Sequence, residues 1–442
     1  MSRKKVLILG AAGRDFHNFD VFFKRDAAYE VVGFTATQIP GIEERSYPAA
    51  LSGELYPDGL PIFAEVDMER IVADHGVDVV VLAYSDLAHE TVMHLASRAV
   101  GAGADFWMLG GASTMLRATK PVIAVCAVRT GCGKSQVSRH VAHLVRERGL
   151  KTVAIRHPMP YGDLVKQRVQ RFATADDLTH HECTIEEREE YEAHINRGTV
   201  VYAGVLYSEI LEQAQAEADV IIWDGGNNDL PFYKPDLWIV VADPLRAGHE
   251  MTYFPGEANF RAADCIVVNK VNTAGADAVA LVEANARAAN PGARVVRAFS
   301  EVRVADPTAI AGKRALVIED GPTLTHGEMG YGAGKVAAEK YGAVVVDPRP
   351  FASGSIAELF VKYPHLGDIV PAMGYYPEQV QELEQTINGA DCDVVMVATP
   401  FDLGRLLAVT KPLVRVGYEH RDAGEPSLTT VLREFLDRIG PS

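Results

Sequence analysis

Short, uninterrupted apolar runs alternate with longer mixed stretches along the whole chain. KVLILG, EVVGFTA and VDVVVLAYS come first. Runs rich in Val, Ile and Leu without a polar alternate suit strands of a parallel sheet covered on both faces. AHETVMHLASRAVGAG, lying between the third run and ADFWMLG, is predicted as a crossover helix. Residues 1–118 therefore predict a Rossmann-like domain. From Pro121 the pattern restarts with VIAVCAV, TVAIRH, TVVYAGV, DVIIWDGG, LWIVVAD and DCIVVNKV. A helix over Ala276–Ala289 and the strand RVVRAF close this block. A third block runs through RALVIED, VVVDPRP, CDVVMVATPFD and PLVRVGYE. The expected fold class is α/β, three doubly wound Rossmann-like units, the central one a P-loop NTPase domain. Its expected boundaries are 1–118, 119–312 and 313–442, with short junctions and shared clefts.

Composition adjusts this picture in few places. The chain has 442 residues, too many for one core. No segment offers the roughly 18 uncharged apolar residues of a membrane span. MSRKKVLILGAAG runs into a glycine-rich turn without a cleavage-site pattern, so it reads as a first strand and not a signal peptide. A formal net charge of -16 argues against a general nucleic-acid or anionic-membrane partner. The five cysteines form no C-x-x-C pair, which fits a reducing cytoplasm and neither zinc nor disulfides. A homodimer is compatible with all of this.

The chemistry concentrates first in PVIAVCAVRTGCGKSQVSRHV: strand, glycine-rich turn, helix. The usual P-loop spacing, G-x-x-x-x-G-K-S/T, wants glycine at the position of Val128. The rest of the loop is intact. Gly131 and Gly133 let the backbone wrap an anion, with Cys132 as small filler between them. Amide groups and the helix start, through Ser135 and Gln136, supply donors to phosphates. Lys134 would reach the β- and γ-phosphates and the Ser135 hydroxyl a Mg²⁺ ion. Asp224, ending DVIIWDGG, is placed as a Walker-B carboxylate for the same ion. Asn269 and Lys270 resemble the start of a guanine-reading N-K-x-D motif. The final position is Asn272, which presents no acceptor pair to guanine, so ATP and GTP both stay open. Arg129 stands near the extra lysine of the deviant K-G-G-x-G-K-S/T loops, where its charge would stabilise a phosphoryl transition state.

The acceptor side follows. IRHPMPYGDLVKQRVQRF places Arg156 and His157 at a strand end facing the cleft, with Asp163 near Mg²⁺ or the nucleophile. Lys166, Arg168 and Arg171 are predicted on a following helix as an anion patch. HHECTIEEREEYEAHI reads as a solvated acidic helix from which Glu182 would assist the metal. EDGPTLTHGEMGYGAG, with Asp320, Thr323, Thr325, His326 and Gly327, reads as a second anion cradle at a strand-to-helix turn. Arg14 and His17 in GAAGRDFHNF are further candidates for substrate contact.

The strings AVRTGCGKSQ, RHPMPYGDL, HECTIEEREEYE, WDGGNND and EDGPTLTHG together resemble the cyclic 2,3-diphosphoglycerate synthetases, a family also described as P-loop GTPases. The resemblance spans essentially the whole chain. It implies an ATP- and Mg²⁺-dependent ligase reaction on a small phosphorylated acid, 2,3-diphosphoglycerate, closed through an intramolecular phosphoanhydride with release of ADP and phosphate. The alternative is a regulatory or metal-delivery GTPase, supported by Asn269 and Lys270. A NAD enzyme has little support, because G-x-x-G at Gly10–Gly13 falls short of the dinucleotide fingerprint.

Overall fold

A computed structural model describes residues 3–36, 45–157, 162–226, 228–325, 329–374, 377–399 and 402–440. The α/β class expected from the apolar runs is what it shows. One sheet of six strands belongs to the N-terminal block, in the order 46–47, 60–64, 29–36, 4–9, 79–82, 105–108. Its central strand, Lys4–Leu9, is parallel to both neighbours and buried from Val6 onward.

The second and third blocks share one sheet of thirteen strands. Its P-loop half runs 169–172, 200–204, 152–156, 220–224, 122–127, 237–242, 265–268. The link to the third block is the strand Arg294–Val304. It starts parallel to Cys265–Val268 and continues antiparallel to Leu413–Asp422. Beyond lie 394–398, 314–320 and 344–345, with 370–372 also on 314–320. Val122–Ala127 lies at the heart of the P-loop half, and all six of its residues are buried. Each buried Val or Ile there contributes about 1.5–3 kcal/mol, which makes this strand a rigid base for the loop after it.

Two expectations change. VQRF at Val169–Phe172 is a strand antiparallel to Val200–Gly204 and not part of a basic helix. Arg168 and Arg171 point out of that edge and pair with Glu209 and Glu217, so no anion patch forms. The acidic helix does form, over Ile185–Ile195, but it is not solvated: Glu186, Glu187, Glu189 and Glu192 are buried. Thr184 caps it, accepting from Glu187 N (3.2 Å) while Glu187 accepts from Thr184 N (2.8 Å). Among the described residues, no helix is long and apolar enough to cross a membrane.

Candidate active site

Val128 completes the strand before the loop. Its N–H donates to Val241 O (3.0 Å), and its carbonyl accepts from Asn228 Nδ2 (2.9 Å). A glycine is not needed there, because the wrapping turn begins only at Arg129. The left-handed positions are Gly131 (φ +80°) and Gly133 (φ +96°). A Cβ on Gly133 would collide with Asn269 Nδ2 and lie 2.6 Å from Gln136 Nε2. The helix Lys134–Glu147 then starts directly from the loop. Asn269 and Lys270 brace this turn from below: Asn269 Nδ2 donates to Cys132 O (2.9 Å), and Lys270 Nζ to Gly131 O (2.7 Å) and Asp243 (2.7 Å). Burial pushes the Cys132 thiol up to about 11, so it stays neutral filler.

Lys134, assigned from sequence to the phosphates, and Asp224, assigned to Mg²⁺, are paired with each other, and Asp224 is not among the residues lining the cavity beside the loop. Lys134 Nζ lies 2.6 Å from Asp224 Oδ1, while Arg156 (2.7 Å) and His194 (2.9 Å) hold the other oxygen. Asp224 is fully buried. Burial alone would raise its pKa, but the Arg156 and Lys134 charges hold it well below the usual carboxylate range. Arg156 also pairs with Glu190 (2.9 Å). Burial and the neighbouring guanidinium lower the Lys134 pKa.

One cavity is lined by the P-loop residues Gly131, Gly133, Lys134 and Ser135 and by Glu189, Glu190, Glu319 and Asp320. Asp320 was a candidate from the sequence; the other three members of this carboxylate wall, Glu189, Glu190 and Glu319, are what sequence reasoning missed. Burial, then Asp320 and Glu186, push Glu189 well above its ordinary value. Burial likewise raises Asp320, and takes Glu319 to about 7. Among the described residues neither Glu189 oxygen has a donor from outside the wall; its neighbour there is the Asp320 carboxyl, with which it can share a proton. Glu319 is partly committed, accepting from Gly332 N (3.1 Å) and Lys335 N (2.9 Å). Hard oxygens from Ser135, Glu189, Glu190 and Asp320 around one cavity fit a Mg²⁺ ion, which prefers carboxylate, water and phosphate oxygens.

Arg129 lines the cavity beside the loop, and it is also clamped to Asp86 (2.6 Å) of the N-terminal block and stacks 3.6 Å over Tyr253, so it ties two blocks together at the cavity edge. Several other predicted site residues lie elsewhere. His157 pairs with Asp229 (2.7 Å) and packs on Phe232. Arg14 lies over that same ring and donates to Leu230 O, while His17 stacks on it at 4.0 Å and bonds Thr114 O. These three form a buried block-to-block seam, not a substrate site. Asp163 is an exposed turn residue accepting from Val165 N, and Lys166 beside it is exposed. Glu182 is also exposed, at a positive φ of 54°. In the described part of the segment after Asp320, the predicted cradle hydroxyls are turned inward. Thr323 donates to Asp320 (2.6 Å) and Thr325 to Gly321 O (3.0 Å), so both hydroxyls are spent within it. His326 and Gly327 lie outside the described residues.

A doubly wound sheet with this loop, its buried lysine–aspartate pair and a carboxylate wall in the same cavity defines an α/β enzyme of the P-loop class. The chain is 64% identical over 434 residues to the arginine synthetase ArcE of Thermococcus kodakarensis, covering 98% of this chain and 97% of that protein. It belongs to the family of that synthetase. No family model matches the chain. Among solved structures, LpxK from Aquifex aeolicus in complex with ATP is 12% identical, with a TM-score of 0.45 over 73% of this chain and 90% of that one. Cobyrinic acid a,c-diamide synthase from Mycobacterium smegmatis, with an ATP analogue and magnesium, is 15% identical, with a TM-score of 0.20 over 41% and 72%.

Proposed function

We propose that this protein is an ATP- and Mg²⁺-dependent synthetase whose product, as the name of its Thermococcus relative says of that enzyme, is arginine. The observation that carries the reading is the carboxylate wall that shares one cavity with the P-loop. A guanidinium is a planar cation with five N–H donors and no acceptor, so its binding partner is a set of carboxylates. Glu189, buried and reached by no donor from outside the wall, has the lone pairs for it. In the same cavity, Lys134 and the loop amides would hold the nucleotide phosphates, with Ser135, Glu190 and Asp320 positioned for Mg²⁺.

The chemistry this supports is phosphoryl activation. Transfer of the γ-phosphoryl group to an acceptor oxygen turns that oxygen into a leaving group. A nitrogen nucleophile then forms the new C–N bond, the C–O bond breaks, and inorganic phosphate departs. The proton the nitrogen loses passes to the ionised Glu189 carboxylate, which burial and the neighbouring Asp320 make more basic than an ordinary carboxylate. Catalysis of such a transfer is mostly positioning and charge neutralisation.

The strings shared with the cyclic 2,3-diphosphoglycerate synthetases support a second reading, with a bisphosphate acceptor. It would set two phosphates and a carboxylate against Glu189, Glu190, Glu319 and Asp320, offset by Arg156 and Lys134, which are already paired with Glu190 and Asp224. A guanine switch is supported less, since Asn269 and Lys270 are spent on the loop.

Any synthetase runs backwards, so the test needs no knowledge of the precursor. Protein with arginine, ADP, phosphate and Mg²⁺ is expected to form ATP, read by luminescence. A parallel arm with ATP and 2,3-diphosphoglycerate is followed by phosphorus NMR. No ATP in the first arm and a cyclic phosphoanhydride signal in the second would replace this reading by the other.

A further inference from the structure

The P-loop helix has a second working face. Gln136, Arg139 and Arg146 fall at helical spacing on one side of Lys134–Glu147. That side lies against Arg197 and Thr199, after the acidic helix, and His420 of the strand Leu413–Asp422. Together they line a groove behind the nucleotide cavity, and Gln136 touches both.

The groove is basic and short of acceptors. Three arginines line it against one carboxylate, Glu419, which already pairs with Arg197 (3.1 Å). Arg139 is 8% exposed, and its guanidinium pairs with no carboxylate among the described residues. Its hydrogen bond goes to Tyr418 O (3.2 Å). Burial and the Arg197 charge disfavour its protonated form. Three buried polar atoms of the same lining, Gln136 Nε2, Thr199 Oγ1 and His420 Nδ1, have no partner. The amide and hydroxyl are donors; His420 Nε2–H is given to Asp422 (3.1 Å), so Nδ1 of the neutral ring is an acceptor and is not counted among them. A buried charge and buried donors left unpaired are costly unless a ligand completes them.

We infer that this groove is a second anion site, separate from the P-loop, that takes a phosphoryl dianion, either free phosphate or the phosphate of an ester. Arginine side chains suit it because their planar forks match phosphate oxygens. Occupancy reaches the nucleotide site by two contacts. Gln136 Oε1 accepts from Ser300 Oγ (3.3 Å) at the cavity rim, and His194, which also lines the groove, donates to Asp224 (2.9 Å), the partner of Lys134. Phosphate in the groove and nucleotide on the loop must then alter each other's affinity by the same factor.

The proposal does not depend on what the main cavity makes, and its test uses binding alone. The full-length protein is saturated with a non-hydrolysable ATP analogue and Mg²⁺, so that the P-loop is filled. Inorganic phosphate is then titrated by calorimetry, with glycerol 3-phosphate in a second arm to separate free phosphate from an ester. Wild-type protein is expected to bind one of them. Arg146→Gln and Arg197→Gln, both at exposed positions, are each expected to weaken binding by at least about tenfold, the loss of one charge-assisted contact. Analogue affinity without phosphate should stay unchanged in both. The inference is overturned if neither anion binds once the analogue is in place, or if the variants bind as wild type does. It is also overturned if Zn²⁺ binds at His140, His420 and Asp422, whose ligand atoms lie within 4.8 Å of one another, while phosphate does not.

Discussion

Two residues in the main cavity have roles that single substitutions can separate. Lys134 is held by Asp224 at 2.6 Å and lies at the start of the loop's helix, so the nucleotide's phosphates compete with Asp224 for one ammonium. Lys134→Ala removes that ammonium while Arg156 and His194 still satisfy Asp224. Expected is a fall of about 10²–10³-fold in kcat for ATP formation, the usual cost of deleting one donor to developing phosphoryl charge, with little change in Tm. Asp224→Ala is the converse case. It leaves Lys134 buried without its anion and Arg156 with Glu190 alone, so a loss of about 3–5 kcal/mol in urea unfolding is expected in addition to lost activity. Glu189→Gln keeps shape and removes charge. It is expected to raise KM for arginine by at least about tenfold and to leave the nucleotide KM unchanged, since a charged hydrogen bond contributes about 1.5–3 kcal/mol. An equal rise in both values would show that Glu189 serves the metal and nucleotide, not the guanidinium.

At the scale of elements, what was legible in the chain and what was not divide along a physical line. Strands buried on both faces announce themselves, and Val122–Ala127, Val220–Asp224 and Cys265–Val268 all stand where the apolar runs put them. The helix Ala276–Ala289 matches residue for residue. The P-loop was legible because its glycines, lysine and serine are adjacent in sequence. The carboxylate wall was not, because Glu189 and Asp320 lie far apart in the chain and are brought together only by the packing of two sheet halves. A glutamate-rich helix looks solvated until a partner surface is known to cover it. Arg129 shows a related limit: its place beside the cavity was legible from the loop, but its buried pairing with Asp86 in the N-terminal block, with side chains only 2% and 6% exposed, was not. Arg129→Ala therefore tests an interface. Breaking a buried pair is expected to cost about 3–5 kcal/mol. Asp86→Ala should cost a similar amount, and the double variant clearly less than the sum. If Arg129→Ala instead left stability intact and removed turnover, the charge would belong to the reaction after all.

For the molecule as a whole, the buried carboxylates tie stability to pH and to substrate in opposite directions. Glu186, Glu187 and Glu319 are pushed by burial to about 7 from an ordinary 4.5, and Glu189 is also raised well above that ordinary value. Between those values the folded chain keeps protons that the unfolded chain has released, so their contribution is full below 4.5 and is lost as pH rises through about 7. Buried histidines act the other way, but only at lower pH. His17 and His140, lowered by burial to about 3 and about 4, oppose folding below their ordinary 6.5 and are neutral in both states above it. From about pH 6.5 to about 7.5 these carboxylates release their remaining protons, and Tm of the ligand-free protein is expected to fall over that interval and level off above it. Glu186→Gln combined with Glu189→Gln should flatten that slope. A guanidinium bound among these groups favours their ionised forms, so arginine must release protons as it binds near pH 7. Calorimetry in two buffers of different ionisation enthalpy reads that release directly. The stabilisation by arginine should accordingly be larger at about pH 8 than at about pH 6.5, because at the higher pH the wall is ionised at less cost. An arginine-induced Tm shift that is constant over this range, with no proton release, would mean that the cation binds away from Glu189 and Asp320.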